Sequence, residues 1–318
     1  MKGVLKTTKQ VVDESWDVCI NRDAIQRVCS DLVLKDTPFW LDGTPFLKPE
    51  LSDIDKLNLM FTMGALNFCY WGEPKWTVEY NGKQLDGAWA MIASFYRAVE
   101  EGKPIFNSSY LENIIEQEVG DILRGQPQIP LFNERVSILR ETGAGLNKKY
   151  QGEFVNLLES ASHDALKLLD LITENFPSYD DFANYNGAKV EFHKRAQLVI
   201  SGIYGAFHGQ GFGNFRNVHE LTACADYKIP QTLRKSRILE YSEDLAHKVD
   251  TKQEIPASSR EEVEIRANQL WAIEYMKDAL QKRIPGIRSI DLDSWLWLQG
   301  QNKSPDDKPY HRTRTIYY

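Results

Sequence analysis

The chain is predicted to be all-α: mainly helical, with one short β-hairpin. Three observations predict this. Apolar residues recur at helical spacing in roughly twelve segments. Those segments begin at capping residues and end at glycine or proline. Only one stretch reads as paired strands, Trp76 to Tyr80 followed by Asn81-Gly82 and Lys83-Gln84-Leu85. Asn-Gly suits a type I′ turn, whose twist matches that of a two-stranded ribbon.

Taken in order, residues 1–15 read as an extended arm. Asn21 is placed to cap a helix from Arg22 to about Leu34, with Ala24, Ile25, Val28, Leu32 and Val33 on one face. Asp36 to Pro49 is rich in proline, glycine and aromatics and reads as a loop. Asp53 opens a helix that runs into Leu66-Asn67-Phe68-Cys69-Tyr70-Trp71, a run apolar on every side and therefore buried all round, in which the Asn67 amide needs partners. After the hairpin, helices are expected from Leu85 to Glu101, from Tyr110 to Leu123 (capped by Ser108 or Ser109) and from Pro130 to Tyr150. Gly143 and Gly145 weaken the middle of the last of these by up to about 1 kcal/mol each relative to alanine. Phe154 to Leu158 and His163 to Asn175 are amphipathic, and Phe176-Pro177-Ser178-Tyr179 breaks the pattern. The turn at Asn184 to Gly187 suggests two units, 1–185 and 186–318, forming one body with a site between them.

Lys189 to Gln231 reads as an apolar helix, a glycine-rich turn, a second helix and then a lone acid, Asp226. Pro230 starts a helix to about Tyr241, and Ser242 starts another. Ser259 caps the longest clean helix, Arg260 to Arg283, which Pro285-Gly286 terminates. Leu292 to Leu298 forms a last apolar helix, and the aromatic, basic tail Pro309 to Tyr318 is apolar enough to dock on the body.

The 318 residues suffice for a sizeable core, and 42% hydrophobic with 26% charged residues is ordinary for a globular protein. A net charge of −7 argues against tight binding of DNA or RNA, whose phosphates require a basic surface. A small anion needs only a few local cations. Cys19, Cys29, Cys69 and Cys224 form no CxxC and no zinc-ligand pattern, so reduced thiols and no metal are expected. No signal peptide and no apolar run of membrane-spanning length is apparent, so a cytoplasmic location is expected.

Asp226 has two readings. A fixed carboxylate at a helix junction stabilises the positive charge that develops at a sugar's anomeric carbon during N-glycosidic cleavage, and it also engages the attacking water. Equally, it is a turn or capping aspartate near the Pro230 helix, the reading that spacing alone favours. Asp291 and Asp293, beside Trp295 and Trp297, suit a guanine-like base, the carboxylates taking its N–H groups and a ring stacking on its face; both acids also fit a helix start. Lys194-Arg195 and His311-Arg312 are candidate phosphate ligands, although surface cations often bind nothing in particular. Glu264 and Arg266 either line a pocket or belong to a charged helix start.

Several blocks along nearly the whole chain carry a resemblance: LNFCYW (66–71), EEGKPI (100–105), ERVSILRETG (134–143), NFPSYDD (175–181), FHKRAQ (192–197), ADYKIPQ (225–231), EVEIRANQLW (262–271) and PYHRTRTIYY (309–318). With these the sequence resembles the queuosine salvage family of queuosine 5′-phosphate N-glycosylase/hydrolases. The resemblance implies a helical core akin to helical DNA glycosylases and hydrolysis of queuosine 5′-monophosphate to queuine and ribose 5-phosphate without cofactor, in the salvage of queuine for tRNA modification. It places the catalytic aspartate on Asp226 and the aspartate that holds the 7-deazaguanine on Asp293. Three positions depart from the family pattern: Cys224 where many relatives have Phe, Ser294 where Tyr is common, and Leu298 where an acid is common. All three departures fall in the base pocket, to which Tyr227, Trp295, Phe68 and Tyr70 are expected to add aromatic surface. The expected partner is a small-molecule nucleotide, with no stable nucleic-acid complex and no membrane, bound by a monomer. Two rival readings are a DNA-glycosylase-like enzyme acting on another modified base and a queuine-binding protein without activity.

Overall fold

The computed structural model describes residues 3–32, 34, 39–305 and 307–318. Val33 and the start of the loop read from Asp36 lie outside the described residues. The N-terminal half of the order is α1 (Gly3–Glu14), β1 (Val18–Ile20), α2 (Arg22–Asp31), α3 (Asp53–Ala65), β2 (Thr77–Tyr80), β3 (Lys83–Asp86), α4 (Gly87–Glu100), α5 (Ser108–Asn113), α6 (Glu116–Ile122), α7 (Phe132–Tyr150), α8 (Phe154–Ser160) and α9 (Ala165–Asn175). It continues with β4 (Phe182–Tyr185), β5 (Ala188–Glu191), α10 (Lys194–Ala206), α11 (Lys228–Lys235), β6 (Leu239–Tyr241), α12 (Glu243–Asp250), α13 (Arg260–Leu280) and α14 (Ser289–Gln299). The protein is mainly helical, as predicted, and among the described residues its strands form only two-stranded antiparallel ribbons.

Local chemistry sets most of these boundaries. Asn21, Ser52 and Ser259 each accept a backbone N–H of the first turn, from Ala24 at 2.9 Å, Asp55 at 3.1 Å and Glu262 at 3.3 Å. Asn107 rather than Ser108 or Ser109 caps α5, accepting from Tyr110 at 2.9 Å. The helix expected to run to Leu123 is broken at Ile114–Ile115 into α5 and α6. In the predicted hairpin Asn81 and Gly82 both have positive φ (48° and 71°), as a type I′ turn requires, and Thr77 pairs with Asp86.

Four expectations are corrected. The N-terminal arm is the helix α1, held because Val4, Thr8 and Val11 lie on one face and pack on α13, where the Trp271 indole N–H donates to the Thr8 hydroxyl at 3.1 Å. Asn186-Gly187 is a second hairpin turn, with φ of 50° and 83°, joining β4 to β5. No α-helix follows the glycine-rich turn; two short 3₁₀ turns lead into an extended segment, Leu221 to Asp226. The helix from Pro230 stops at Lys235, and Leu239–Tyr241 instead pairs with β1, Val18 opposite Tyr241.

Two apolar clusters form the core. One is drawn from residues 40–221 with Ile290, the other from residues 4–32, 183–192 and 223–296. The clusters do not divide at residue 185, because α1 and α2 pack with the C-terminal half on α13. Leu221 belongs to the first cluster and Ala223 and Ala225 to the second, so the segment leading to Asp226 runs along their seam. Among the described residues no helix is long and apolar enough to cross a membrane.

Gly143 and Gly145 are sites of close approach rather than weak points alone. A Cβ on Gly143 would lie 2.2 Å from the Glu112 amide nitrogen and 2.4 Å from the Ser108 carbonyl, both backbone atoms of α5. Gly143→Ala therefore gains about 1 kcal/mol of helix propensity but forces α5 and α7 apart, at about 1–3 kcal/mol or more. Net destabilisation is expected in urea melts; an unchanged or higher midpoint would mean that α5 gives way freely.

Candidate active site

The segment Leu221 to Asp226 has no neighbouring strand, yet it is buried. Buried backbone groups must find partners, and here side chains supply them. The Thr222 amide donates to Gln197 Oε1 at 2.8 Å, and the Cys224 amide donates to Asp293 Oδ1 at 2.7 Å. Gln269 Nε2 donates to the Cys224 carbonyl at 2.5 Å, and Arg266 Nε to the Ala225 carbonyl at 3.2 Å. Helices α10, α13 and α14 thus each hold the strand that ends in the acid.

Asp226 is 9% exposed. Its Oδ1 accepts the amides of Lys228 and Ile229, both at 2.9 Å, which fixes the carboxylate at the start of α11. Among the described residues Oδ2 accepts no hydrogen bond, and the side chain lines a cavity. The capping reading and the site reading are therefore compatible, each using a different oxygen.

The cavity has two connected chambers. The inner one is lined by Trp40, Leu198, Cys224 and Asp293, the outer one by Phe68, Tyr70, Tyr227, Tyr310 and three lysines. Asn67, Ala88, Lys194, Asp226 and Trp297 line both. Lys194, the first residue of α10, is 4% exposed, and its ammonium donates to the Asn67 carbonyl at 3.0 Å and to Asn67 Oδ1 at 3.2 Å. Asn67, expected to be buried, is half-buried, and its side-chain oxygen finds a partner in Lys194.

A chamber holding two carboxylates and a lysine beside several aromatic residues is suited to a flat heterocycle joined to a sugar. The model of the family described as queuosine salvage protein matches residues 47–318. The chain belongs to the queuosine salvage protein family. It is 41% identical to the queuosine 5′-phosphate N-glycosylase/hydrolase of Sphaerobacter thermophilus, over 99% of this chain and 98% of that one. It is 35% identical to the protein of the same name from Bos taurus, over the full length of both. With the protein so named from Dictyostelium discoideum it shares 30% identity, over 99% of this chain and 98% of that one.

In this member of the queuosine salvage family the expected site residues separate into two groups. Asp226, Asp293, Cys224, Tyr227, Phe68, Tyr70 and Lys194 meet at the cavity. Trp295 does not; it packs against the second apolar cluster, and Trp297 faces the chamber instead. Trp297 follows Asp293 by four residues, one helical turn, whereas Trp295 lies on the opposite side of α14. Leu298 packs against the first cluster. Ser294 lines a separate pocket behind Asp293 with Tyr204, Arg288 and Asp291. Asp291 accepts the Arg288 amide at 2.9 Å and pairs with its guanidinium, so it acts at the helix start.

Three of the four expected phosphate ligands are engaged elsewhere. The Arg195 guanidinium is 1% exposed and donates to the carbonyls of Ala65 and Ser178. His311 is buried against Tyr318, and burial pushes its pKa down to about 3, so it is neutral. Arg312 pairs with Glu73.

Two further residues, Asp181 and Arg135, escaped the sequence reading as site-forming; Arg266, read there as either a pocket residue or a helix-start charge, pairs with Asp181. The Arg266 guanidinium takes both oxygens of Asp181, at 3.0 and 2.5 Å, and lies 3.4 Å from Glu262. Asp181 Oδ2 also accepts the Lys194 amide at 3.1 Å. One buried ion pair thereby ties the residue before Asp226 to the start of α10. Arg135 donates to the carbonyls of Leu66 and Phe68, each at 2.6 Å, with its guanidinium 4.1 Å from the Phe68 ring centre. The only sequence signal was their place in the matching blocks. Among the described residues no cluster of three or more His, Cys, Asp or Glu is placed to hold a metal ion.

Burial, and then the charge of Asp226, push the Asp293 carboxyl up to about 8, while burial raises Asp226 against the pull of Lys194. A carboxyl whose folded pKa exceeds its unfolded value binds its proton more tightly when folded, so stability falls as pH rises from the unfolded to the folded value. Asp293→Asn removes this cost while its amide oxygen still accepts from Cys224. The variant is expected to melt higher than the parent at pH 8, by on the order of a few kcal/mol of stability, with the gap closing toward pH 4. Equal melting temperatures at pH 8 would refute it.

Proposed function

We propose that this chain hydrolyses the N-glycosidic bond of queuosine 5′-phosphate, releasing queuine and ribose 5-phosphate, with Asp226 as the catalytic acid group and Asp293 as the holder of the base. The observation that carries the residue assignment is the pinned carboxylate. With Oδ1 fixed by two amides and Oδ2 without a hydrogen bond among the described residues, Asp226 lines a chamber that Asp293 and Trp297 also line.

As the C1′–N9 bond breaks, its electron pair leaves with the base and positive charge grows on the sugar. A buried carboxylate already in place stabilises that charge without reorganising, and more strongly than it would in water. Its free oxygen also orients a water, whose hydroxyl adds to C1′ while a proton goes to the departing queuine. Lys194 beside Asp226 favours the ionised acid. Asp293 accepts N–H groups of the base, with Trp297 and Phe68 offering ring faces. Cys224, a small side chain, lines the inner chamber beside Asp293.

The test is to incubate the purified chain with queuosine 5′-phosphate and to follow both products by chromatography. Queuine and ribose 5-phosphate are expected in equal amounts. Thermal stabilisation by the nucleotide with no product would leave a binding protein in place of an enzyme.

A further inference from the structure

We infer that Lys75, Lys228 and Lys303, at the mouth of the Asp226 cavity, hold the 5′-phosphate of the substrate. This assignment rests on the nucleotide reading above and supplies the phosphate site that Arg195, His311 and Arg312 do not form. The three lysines line the outer chamber together with Asp86. Asp293 lines the inner chamber, and Asp226 lines both. The order along the cavity is therefore base-holding acid, sugar-facing acid, then cations, which is the order of base, anomeric carbon and phosphate in a nucleoside 5′-phosphate.

The charges at the mouth are unbalanced. Lys75 and Lys303 share a single carboxylate, that of Asp86: Lys75 meets Oδ2 at 3.4 Å, and Lys303 meets Oδ2 at 3.0 Å and Oδ1 at 3.4 Å. Among the described residues the Lys228 ammonium hydrogen-bonds only the neutral Gln231 amide oxygen, at 2.8 Å, with the Asp226 and Asp86 carboxylates attracting it without a direct bond. Burial, followed by the charges of Lys303 and Lys75, pushes the Lys228 ammonium down to about 8, so the three cations stand close enough to repel one another. In a chain of net charge −7, such a concentration of positive charge over one cavity is local and costly. A phosphate dianion relieves it. The Lys75 and Lys303 side chains are about half exposed, at 46% and 58%, and their ammonium groups are free to turn from Asp86 toward an anion. Lysine serves as a point charge for phosphate without the fixed fork of arginine.

The experiment measures binding of two partial ligands by calorimetry, ribose 5-phosphate for the outer chamber and queuine for the inner. In Lys75→Gln/Lys303→Gln and in Lys228→Gln, ribose 5-phosphate is expected to bind about ten-fold more weakly or worse, with the residual affinity less dependent on salt. Queuine affinity is expected to stay within about two-fold, since it carries no phosphate to lose. Unaltered ribose 5-phosphate binding in the variants, no binding of it by the parent protein, or equal loss of both ligands would each overturn the assignment. Failure of the parent protein to release queuine, with these binding results intact, would instead count against the catalytic reading alone.

Discussion

Replacing Asp226 by asparagine is expected to lower kcat for queuosine 5′-phosphate by about 10² to 10³. Asparagine is the informative substitution because it separates the two duties of this residue. Its amide oxygen still accepts the Lys228 and Ile229 amides, so α11 keeps its start. What is lost is the negative charge opposite the developing sugar cation. KM should change little, because the charge acts on the transition state more than on the bound nucleotide. The parent enzyme should lose activity as pH falls toward the Asp226 pKa, and that limb should lie above the ordinary aspartate range of about 3.8, since burial raises the group. Asp226→Asn, with no carboxyl to titrate, should lose this limb from its residual rate. Full turnover by a folded Asp226→Asn protein would eliminate the acid as the catalytic group.

Arg266→Met is expected to destabilise the protein by about 3–5 kcal/mol, seen as a lower urea midpoint. Arg266 is 2% exposed and lies between Asp181 and Glu262, which are equally buried. Methionine fills much of the volume but leaves two acids without their cation, and an uncompensated buried charge costs more than the pair contributes. Arg266→Lys keeps the charge but not the bidentate fork, and should fall between the two. A Met variant within about 1 kcal/mol of the parent would show that water reaches and solvates these acids.

The sequence disclosed what local rules govern. The caps at Asn21 and Ser259, the Asn81-Gly82 turn and the long α13 follow from side chains within four residues of one another. The pairing of β1 with β6 did not, because Cys19 and Glu240 are joined only by the tertiary fold. Nor did α1, whose two threonines and weak apolar face gain helical stability from packing on α13. At the site, Asp226 lies in one of the matching blocks, whereas Asp293 lies outside them and was named through the family resemblance and its tryptophan neighbours. The choice between Trp295 and Trp297 could have been made from helical periodicity measured from Asp293. The support given by Gln197, Gln269 and Arg266 to residues 222–225 was not legible, since a glutamine on a helix face carries no mark of the carbonyl it will meet. The phosphate expectation fell on cations in conspicuous pairs, of which Lys194 alone lines the cavity, whereas the other lysines lining it are scattered over residues 75, 228 and 303.

The suspended strand from Leu221 to Asp226 bears on how the protein folds. Apart from the Lys228 and Ile229 amides on Asp226, its side-chain supports are distant: Gln197, Gln269 and Asp293 come from three helices, and the Asn67 that meets Lys194 comes from a fourth region. Contacts so distant in sequence raise the contact order, and they close only after the intervening chain has been ordered. The acid should therefore reach its working position late in folding, after both apolar clusters have formed. A partly folded chain would carry much of its helix and no activity, so recovery of turnover during refolding should lag behind recovery of the helical circular dichroism signal.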